Sequence, residues 1–414
     1  MPTYAAPGVY VEVVKVAPPI QPVGSSTAGF IGMVTGDVDM PDLPAPVTVA
    51  GVVKTKYDLA DAGTPVLLTS FNQFVTKFGN VQGATPMAAT PVKDNRILAQ
   101  AVYGFFQNGG TRCYVARSAA ALDKAAIDAI LKKFEAVNDI SIVAAPGLID
   151  KDLAQLLIDH CRKMKYRFAV LDGKHDDTTP ITDFTRGNVT GLALSTDNNF
   201  GAVYFPWIKT LNLLPKPPVG KEIIVVPPSG HICGLISRVD QANGTYYAPA
   251  NEVLRGAAGL EYELTKEDQE GLNPVGVNLI RNFRGAIKIW GARTLADPAG
   301  DTGAFKYINV QRTMSQIAQS IDEGSQFVVF KPNSPRLWAQ VKRVVTASLT
   351  NEWRDGALFG NTPEEAFFVK VDASNNPPEV IELGRLVIEI GVAIVQPAEF
   401  VIFRIQQFTQ IPKT

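Results

Sequence analysis

Apolar residues recur at helical spacing in several stretches of the chain, and short β-branched runs lie between these stretches. Phe71, Phe74 and Phe78 occupy positions i, i+3 and i+7 behind Ser70, an N-cap candidate, which predicts a short amphipathic helix ending at Gly79. Similar patterns predict helices at 97–108, 123–138, 150–165, 227–241, 309–323 and 335–353. Strands are predicted at 25–34, 112–117, 140–145, 167–172, 202–208, 285–291, 326–330, 367–371 and 386–393.

The order of these elements changes along the chain. From about residue 123, helices of 12–16 residues alternate with short apolar strands, which is typical of a parallel sheet covered on both faces. The stretch 244–285 is rich in glycine and has no clear period, so we expect it to be irregular. The chain is therefore expected to belong to the α/β class.

Both ends of the chain are apolar and strand-prone. The run 9–16 lies between Pro7-Gly8 and Pro18-Pro19, so it cannot form a hairpin with its sequence neighbours, and the run 397–408 is similar. Exposed apolar strands pair readily with other chains, so both ends are predicted to exchange strands between subunits. The residues predicted to take part are Val9, Tyr10, Val11, Glu12, Val13, Val14, Phe400, Val401, Ile402, Phe403, Arg404 and Ile405.

The charge composition points to self-association and away from nucleic acid. The 414 residues include 39 Lys and Arg against 40 Asp and Glu, a net charge of -1, whereas nucleic-acid-binding domains usually carry a basic excess. Charged residues make up 19% of the chain, below the roughly 25% of an average domain, as expected of a subunit covered by neighbours. The length predicts two or three domains.

Cysteine usage and the N-terminus predict a soluble protein made inside the cell. Cys113, Cys161 and Cys233 are far apart and show no CxxC spacing, which argues against a disulfide framework or a zinc knuckle. No apolar run reaches about 18 residues, so no membrane insertion is expected. The first residues lack a basic region followed by an apolar one and do not resemble a signal peptide.

One group of residues could be assembled into a hydrolase. Asp172 and His175 follow a predicted strand, and Ser229 precedes a predicted helix, so a Ser/His/Asp triad can be imagined. The GxSxG motif of a nucleophile elbow is absent. A solvated loop and a helix N-cap are therefore the favoured interpretations, and we expect no catalytic residues.

Metal and cofactor sites are not expected either. His175 with Asp176 and Asp177, or His231 with Cys233, lack the spacing of known metal sites. No glycine-rich loop carries the Walker lysine or the complete dinucleotide fingerprint. The sequence thus predicts neither a metal nor a cofactor.

Basic residues lie on one predicted helix, 335–353. Arg336, Lys342 and Arg343 share this helix with apolar residues such as Leu337 and Val341. Such a pattern usually marks a solvated face opposite a core face. A charged helix face can alternatively dock an acidic partner.

Segments spread over nearly the whole chain resemble the tail sheath protein of contractile phage tails and related contractile injection systems. These segments are Pro7–Glu12, Phe106–Tyr114, Pro227–Gly234, Ala248–Asn251, Asn273–Pro274, Ile289–Leu295, Tyr307–Arg312, Ser320–Gly324, Val329–Asn333, Leu337–Trp338, Trp353–Leu358, Ala366–Asp372, Asn376 and Pro397–Val401. The chain departs from the family pattern at Val13, where a second acidic residue is usual, and at Gln311, where an arginine is usual.

The resemblance implies a compact sheath subunit of two domains. It implies strand-exchange arms at 1–25 and 398–414, an α+β inner domain at 26–117 and 286–397, and a subtilisin-like α/β outer domain inserted at 118–285. The subtilisin likeness is one of fold and not of activity, so no enzyme is expected.

The resemblance also implies how such a subunit works. Family subunits stack as hexameric rings around an inner tube and contract to drive the tube through a target envelope. Expected partners are further copies of the chain, the inner tube protein, and baseplate and tail terminator or cap proteins. The particle that the resemblance implies is a phage tail or injection system, expected to assemble in the bacterial cytoplasm. The expected tube-contact residues are Arg336, Lys342 and Arg343. Another self-assembling tail or capsid-like protein is the alternative.

Overall fold

The computed structural model describes residues 20–49, 52–82, 95–175, 183–190, 197–297, 300 and 302–400. The described chain forms two compact units. The small unit contains residues 20–23 and 317–394, and the large unit contains the described residues of 24–316 together with 395–400.

The secondary structure of the large unit follows in chain order. Its strands are β1 (Ala28–Met33), β2 (Asp42–Val49), β3 (Val52–Lys56), β4 (Val66–Leu68), β5 (Cys113–Ser118), β6 (Ile142–Ala144), β7 (Phe168–Asp172), β8 (Asp197–Asn198), β9 (Gly201–Phe205), β10 (Ile208–Leu211), β11 (Ile223–Val226), β12 (Ala257–Leu260), β13 (Val277–Phe283), β14 (Ala286–Ile289) and β15 (Leu295–Ala296). Its helices are α1 (Phe71–Phe78), α2 (Arg96–Gln107), α3 (Lys124–Phe134), α4 (Lys151–Met164), α5 (Arg186–Thr190), α6 (Ser229–Asn243), α7 (Lys266–Leu272) and the first half of α8 (Ile308–Gly324).

An eight-stranded sheet forms the centre of the large unit, in the order β14-β13-β9-β7-β6-β1-β5-β4. Its six inner strands are parallel, and only the edge strands β14 and β4 run antiparallel to their neighbours. Successive residues of β1 face opposite cores: Phe30 packs with α2 and α6, and Ile31 packs with α3 and α4. The predicted parallel sheet covered on both faces is confirmed.

The small unit packs α8 and α9 (Pro335–Arg354) against a two-stranded sheet of β16 (Phe367–Lys370) and β17 (Glu389–Val392). Its short helices are α10 (Pro363–Ala366) and α11 (Pro378–Glu382). Ile20 is 5% exposed and joins the core of this unit. Ile20, which lies within the predicted N-terminal arm 1–25, is therefore part of the core of the small unit.

All seven predicted helices are present, because each has an apolar stripe that faces a core. Three other expectations were wrong. The stretch 244–285 contains β12, α7 and β13, and α7 begins at a capping box formed by Thr265 and Asp268. The predicted strand 326–330 is a 3₁₀ turn at Gln326–Val328, after which Phe330 has a positive φ of 63°. The predicted strand 202–208 divides into β9 and β10 around Pro206, which cannot donate a ladder hydrogen bond.

The division into units differs from the predicted domains. Residues 26–117 were expected in a domain separate from 118–285, but β1 pairs with β5 on one side and with β6 on the other. The expected boundary at 285/286 falls inside the β13–β14 hairpin. These backbone ladders place 118–285 in the same unit as 28–33 and 113–118, so the small unit alone is separate.

Candidate assembly sites

A cluster of polar side chains holds the chain at the start of the predicted C-terminal arm, 398–414. The Glu399 carboxylate accepts hydrogen bonds from Arg293 Nε (2.9 Å) and Nη2 (2.8 Å), from Asn273 Nδ2 (2.6 Å) and from Tyr307 Oη (2.9 Å). We call Asn273, Arg293, Tyr307 and Glu399 the C-terminal anchor. Bidentate guanidinium–carboxylate pairs with further donors are among the stronger polar contacts in proteins.

The C-terminal anchor is largely shielded from water. The side chains of Arg293 and Glu399 are 11% and 18% exposed. Burial acts to raise the pKa of Glu399, but the hydrogen bonds from Arg293, Asn273 and Tyr307 outweigh it, so this pKa lies below its ordinary value. Burial and the hydrogen bond to Glu399 raise the pKa of Tyr307 to about 12. Glu399 is therefore ionised and Tyr307 protonated at neutral pH.

Local structure positions each donor of the C-terminal anchor. Asn273 follows the last turn of α7, and its carbonyl accepts a further hydrogen bond from Arg293 Nη1 (3.1 Å). The backbone of Arg293 is held on both sides by Asn278 of β13, which accepts from its N–H and donates to its carbonyl, both at 2.7 Å. Asn309 of α8 donates to the carbonyl of Val395 at 3.2 Å. The segment 395–400 is thus attached at both ends.

These four residues lie in segments that resemble the sheath family, but their local pattern predicts no role for any of them. Asn273 and Glu399 are 126 residues apart, so nothing in the local pattern joins them. The signal that could have found them is that each belongs to a segment carrying the family resemblance. Polar residues in such segments are candidates for a shared contact.

A groove with a volume of about 1090 Å³ lies beside the C-terminal anchor. Trp290 and Phe283 line it, with ring centroids 4.3 Å apart, and the Arg281 guanidinium lies 5.3 Å from the centre of the Phe283 ring. Phe400 also lines the groove and is 73% exposed. The groove gives the end of the described chain a mainly apolar wall.

Most of the residues predicted to exchange strands lie outside the described residues. These are Val9–Val14 and Val401–Ile405. Phe400 is described, and it lies outside any strand. Strand exchange therefore stays a prediction.

The basic residues predicted to contact a tube lie together on the exposed face of α9. Arg336, Lys342 and Arg343 are all exposed, and the opposite face buries residues such as Val341 and Val345. Within the described part of the chain, none of the three forms an ion pair with an acidic side chain. Their charge is available to a partner.

The imagined hydrolase triad is not assembled. Ser229 Oγ and N–H donate directly to the Asp172 carboxylate, both at 2.8 Å, so no imidazole lies between them. His175 instead has its Nδ1 2.6 Å from Glu261 Oε1 and stacks on Trp207. Burial raises the pKa of Asp172 to about 6, against the effect of its hydrogen bonds. Asp172 therefore caps α6 and has no histidine to activate a nucleophile.

The metal candidates are not supported either. Asp176 and Asp177 lie outside the described residues, and His231 and Cys233 are buried in the core of the large unit. Among the described side chains no group of three His, Cys, Asp or Glu is placed to hold a metal ion. Of the helices in the described ranges, none is both long and apolar enough to cross a membrane.

Comparisons with known proteins converge on one family. The phage tail sheath protein central domain matches residues 120–295, and the phage tail sheath C-terminal domain matches residues 301–408, which together make up more than half of the chain. The tail sheath protein of Burkholderia phage BcepMu is 29% identical over 180 residues, 42% of this chain and 36% of the relative. The match therefore spans about a third of that relative's length.

Solved sheath structures match almost end to end. The sheath complex of an extracellular contractile injection system, PVC, in the contracted state is 25% identical, with a TM-score of 0.72 and 99% of both chains covered. The helical sheath of the anti-feeding prophage in the contracted state is 26% identical, with a TM-score of 0.71, 98% of this chain and 100% of that chain covered. These relatives are structural sheath proteins and not enzymes. The chain belongs to the phage tail sheath protein family, the sheath proteins of contractile phage tails and injection systems.

Proposed function

We propose that the chain is the repeating subunit of a contractile sheath, which polymerises as stacked hexameric rings around an inner tube and contracts to drive the tube through a target envelope. The observation that carries this proposal is the end-to-end likeness to sheath chains in contracted assemblies. The subunit would function in a phage tail or injection-system particle assembled in the bacterial cytoplasm. Its partners would be other copies of itself, the tube, the baseplate and a terminator or cap protein.

The small unit offers a place for strand exchange. Its sheet has only two strands among the described residues, β16 and β17, paired from Phe367↔Val392 to Lys370↔Glu389. A two-stranded sheet is marginally stable alone, and its outer edges present backbone groups that another strand can pair with. We propose that the runs 9–14 and 400–405 of neighbouring subunits extend this sheet.

The root of the N-terminal arm supports this arrangement. Ile20 is buried in the small unit against Gly324, and the Val23 N–H donates to Ser320 Oγ at 3.1 Å. The predicted arm therefore starts from a fixed point and not from a loose end. Because the root of the arm is fixed to the small unit, a neighbouring subunit that binds the arm would also be linked to that unit.

The tube-proximal surface would be the basic face of α9. Arg336, Lys342 and Arg343 would contact an acidic face of the tube, because basic side chains without acidic partners favour such a surface. We propose that the small unit, which carries α9, is the tube-proximal part of the subunit, and that the large unit has the subtilisin-like fold implied by the resemblance. The parallel sheet of the large unit supports that fold.

Removal of the N-terminal arm tests the proposal. A variant that lacks residues 1–19 keeps Ile20 and with it the core of the small unit. We expect the full chain to form hollow striated cylinders in negative-stain micrographs, and the truncated chain to remain a folded monomer. Cylinders of normal length from the truncated chain would show that strand exchange by this arm is not the link between subunits. Failure of the full chain to polymerise with its tube would contradict the sheath function itself.

A further inference from the structure

The last described segment changes unit. β17 ends at Val392 in the small unit, but residues 395–400 belong to the large unit. Asn309 holds the carbonyl of Val395, and the C-terminal anchor holds Glu399, so the segment is attached at two points, the second of them at the start of the predicted C-terminal arm.

The second attachment depends on one carboxylate. Glu399 receives every donor of the C-terminal anchor, and it is the only acidic partner of Arg293 among the described residues. Loss of this carboxylate would leave a mostly buried guanidinium without its counter-charge, which is costly. The neighbouring ion pair of Lys266 with Glu270 is different, since it is long (3.6 Å) and both side chains are more than half exposed.

We propose that the C-terminal anchor is the mechanical attachment of the C-terminal arm. It fixes the root of the arm to the large unit, so that a pull on the arm from a neighbouring subunit is carried by Glu399 and Arg293. Without it, the same pull would fall on the single Asn309–Val395 hydrogen bond and, beyond it, on β17. This proposal rests on the proposed function, because the neighbour that pulls is a second copy of the chain.

The attachment can be measured in the isolated full-length subunit, without any assembly. Ala398 is exposed, and the native cysteines Cys113, Cys161 and Cys233 are all buried, so a nitroxide spin label attached to Ala398→Cys labels a single site. We expect a slowly tumbling spectrum in the parent. Adding Glu399→Ala should raise the mobile fraction of the label at least about tenfold, since charge-assisted hydrogen bonds are strong. Glu399→Gln should give an intermediate mobile fraction.

Matched variants distinguish loss of the Glu399 attachment from a general loss of structure. Glu270→Ala removes an acidic side chain that lines the same groove, and it should leave the spectrum of the label unchanged. The circular dichroism of Glu399→Ala should stay close to that of the parent, because the anchor holds a peripheral segment. An equally slow spectrum in Glu399→Ala would overturn the proposal, and so would a mobile label in Glu270→Ala.

Assembly then tests the mechanical role. If the parent forms cylinders, we expect Glu399→Ala to form fewer and shorter ones, with Glu399→Gln between the two. Cylinders of parental length and yield from Glu399→Ala would overturn the role in carrying load. If the parent itself forms no cylinders, the proposed function fails, while the spin-label result still decides whether the C-terminal anchor attaches the segment.

Discussion

The guanidinium of Arg312 and the carboxylate of Asp240 form an ion pair inside the large unit, with 2.8 Å between Nη1 and Oδ1 and only 4% of each side chain exposed. Arg312 Nη2 also donates to the carbonyl of Ser25 at 2.8 Å. The pair therefore joins α8, α6 and the segment that leads into β1. It is the buried counterpart of the more accessible Arg293–Glu399 pair.

Removing one partner of this pair should destabilise the large unit strongly. We expect Asp240→Ala to lower the free energy of unfolding by about 3–5 kcal/mol, because it leaves a buried guanidinium uncompensated. Urea unfolding followed by tryptophan fluorescence measures the change. The control Glu270→Ala breaks an exposed pair and should cost less than about 1 kcal/mol. Equal losses of unfolding free energy in Asp240→Ala and Glu270→Ala would contradict the conclusion that burial is what makes the Arg312–Asp240 pair important for stability.

Glycines at the contact between α2 and α6 should not tolerate a methyl group. A Cβ on Gly230 would lie 2.4 Å from the Cα and carbonyl oxygen of Ala101, and one on Gly234 would lie 2.3 Å from the carbonyl oxygen of Phe105. Since the obstacle is backbone, the helices must move apart. We expect Gly230→Ala to lower the free energy of unfolding by about 1–3 kcal/mol or more.

Gly271 provides the matched control for this prediction. It lies in α7, and a Cβ placed there meets nothing within 4 Å. Because alanine favours a helix, Gly271→Ala should leave stability unchanged or raise it by up to about 1 kcal/mol. Thermal unfolding of Gly230→Ala and Gly271→Ala tests both predictions. A stable Gly230→Ala variant would show that the two helices are not in close contact.

Stability should fall on acidification because of two buried histidines. Burial lowers the pKa of His160, which also lies beside Arg167, and of His231, in each case to about 4 from an ordinary 6.5. Between pH 6.5 and 4 the unfolded chain therefore binds protons that the folded chain does not, so the free energy of unfolding falls as pH falls. Asp172 acts in the opposite sense, because its folded pKa of about 6 exceeds the ordinary 3.8.

Substitutions identify these contributions through the slope of the free energy of unfolding against pH. His231→Gln should make the loss of stability between pH 6.5 and 4 shallower, since one proton-binding difference disappears. Asp172→Asn should make the loss steeper, because it removes the opposing contribution, even though it also weakens the cap on α6. Urea midpoints at several pH values give the slopes. Identical slopes in all three proteins would contradict the assignment.

Charge reversal on α9 should affect contact with the tube and not folding. Lys342→Glu with Arg343→Glu changes two exposed residues, so unfolding should be unaffected. We expect co-purification of the tube with the sheath to fall at least about tenfold, because repulsion replaces attraction. Lys331→Glu, at an exposed residue of the small unit outside α9, is the control. Unchanged recovery of the tube would rule out this face of α9 as the contact.

Elements with a complete local signal were predictable. α1 and α9 each have an apolar stripe that is buried as expected, together with Ser70 or Pro335 at the start. Elements with a weak local signal were missed. The β2–β3 hairpin is almost entirely exposed, so it has no alternation of buried and exposed positions, and Pro44 and Pro46 made its first strand resemble a loop.

The amino-acid sequence by itself determined seven of the helices, the parallel strands β1, β5, β6, β7 and β9, and the family. Each depends on residues close together in the chain, where periodicity and capping act directly. Only the tertiary structure decided that β1 joins β5 to β6 and that Glu399 meets Asn273. Contacts over such separations depend on the path of the whole chain. A local pattern can mark a residue as important, but it cannot name the residue's partner.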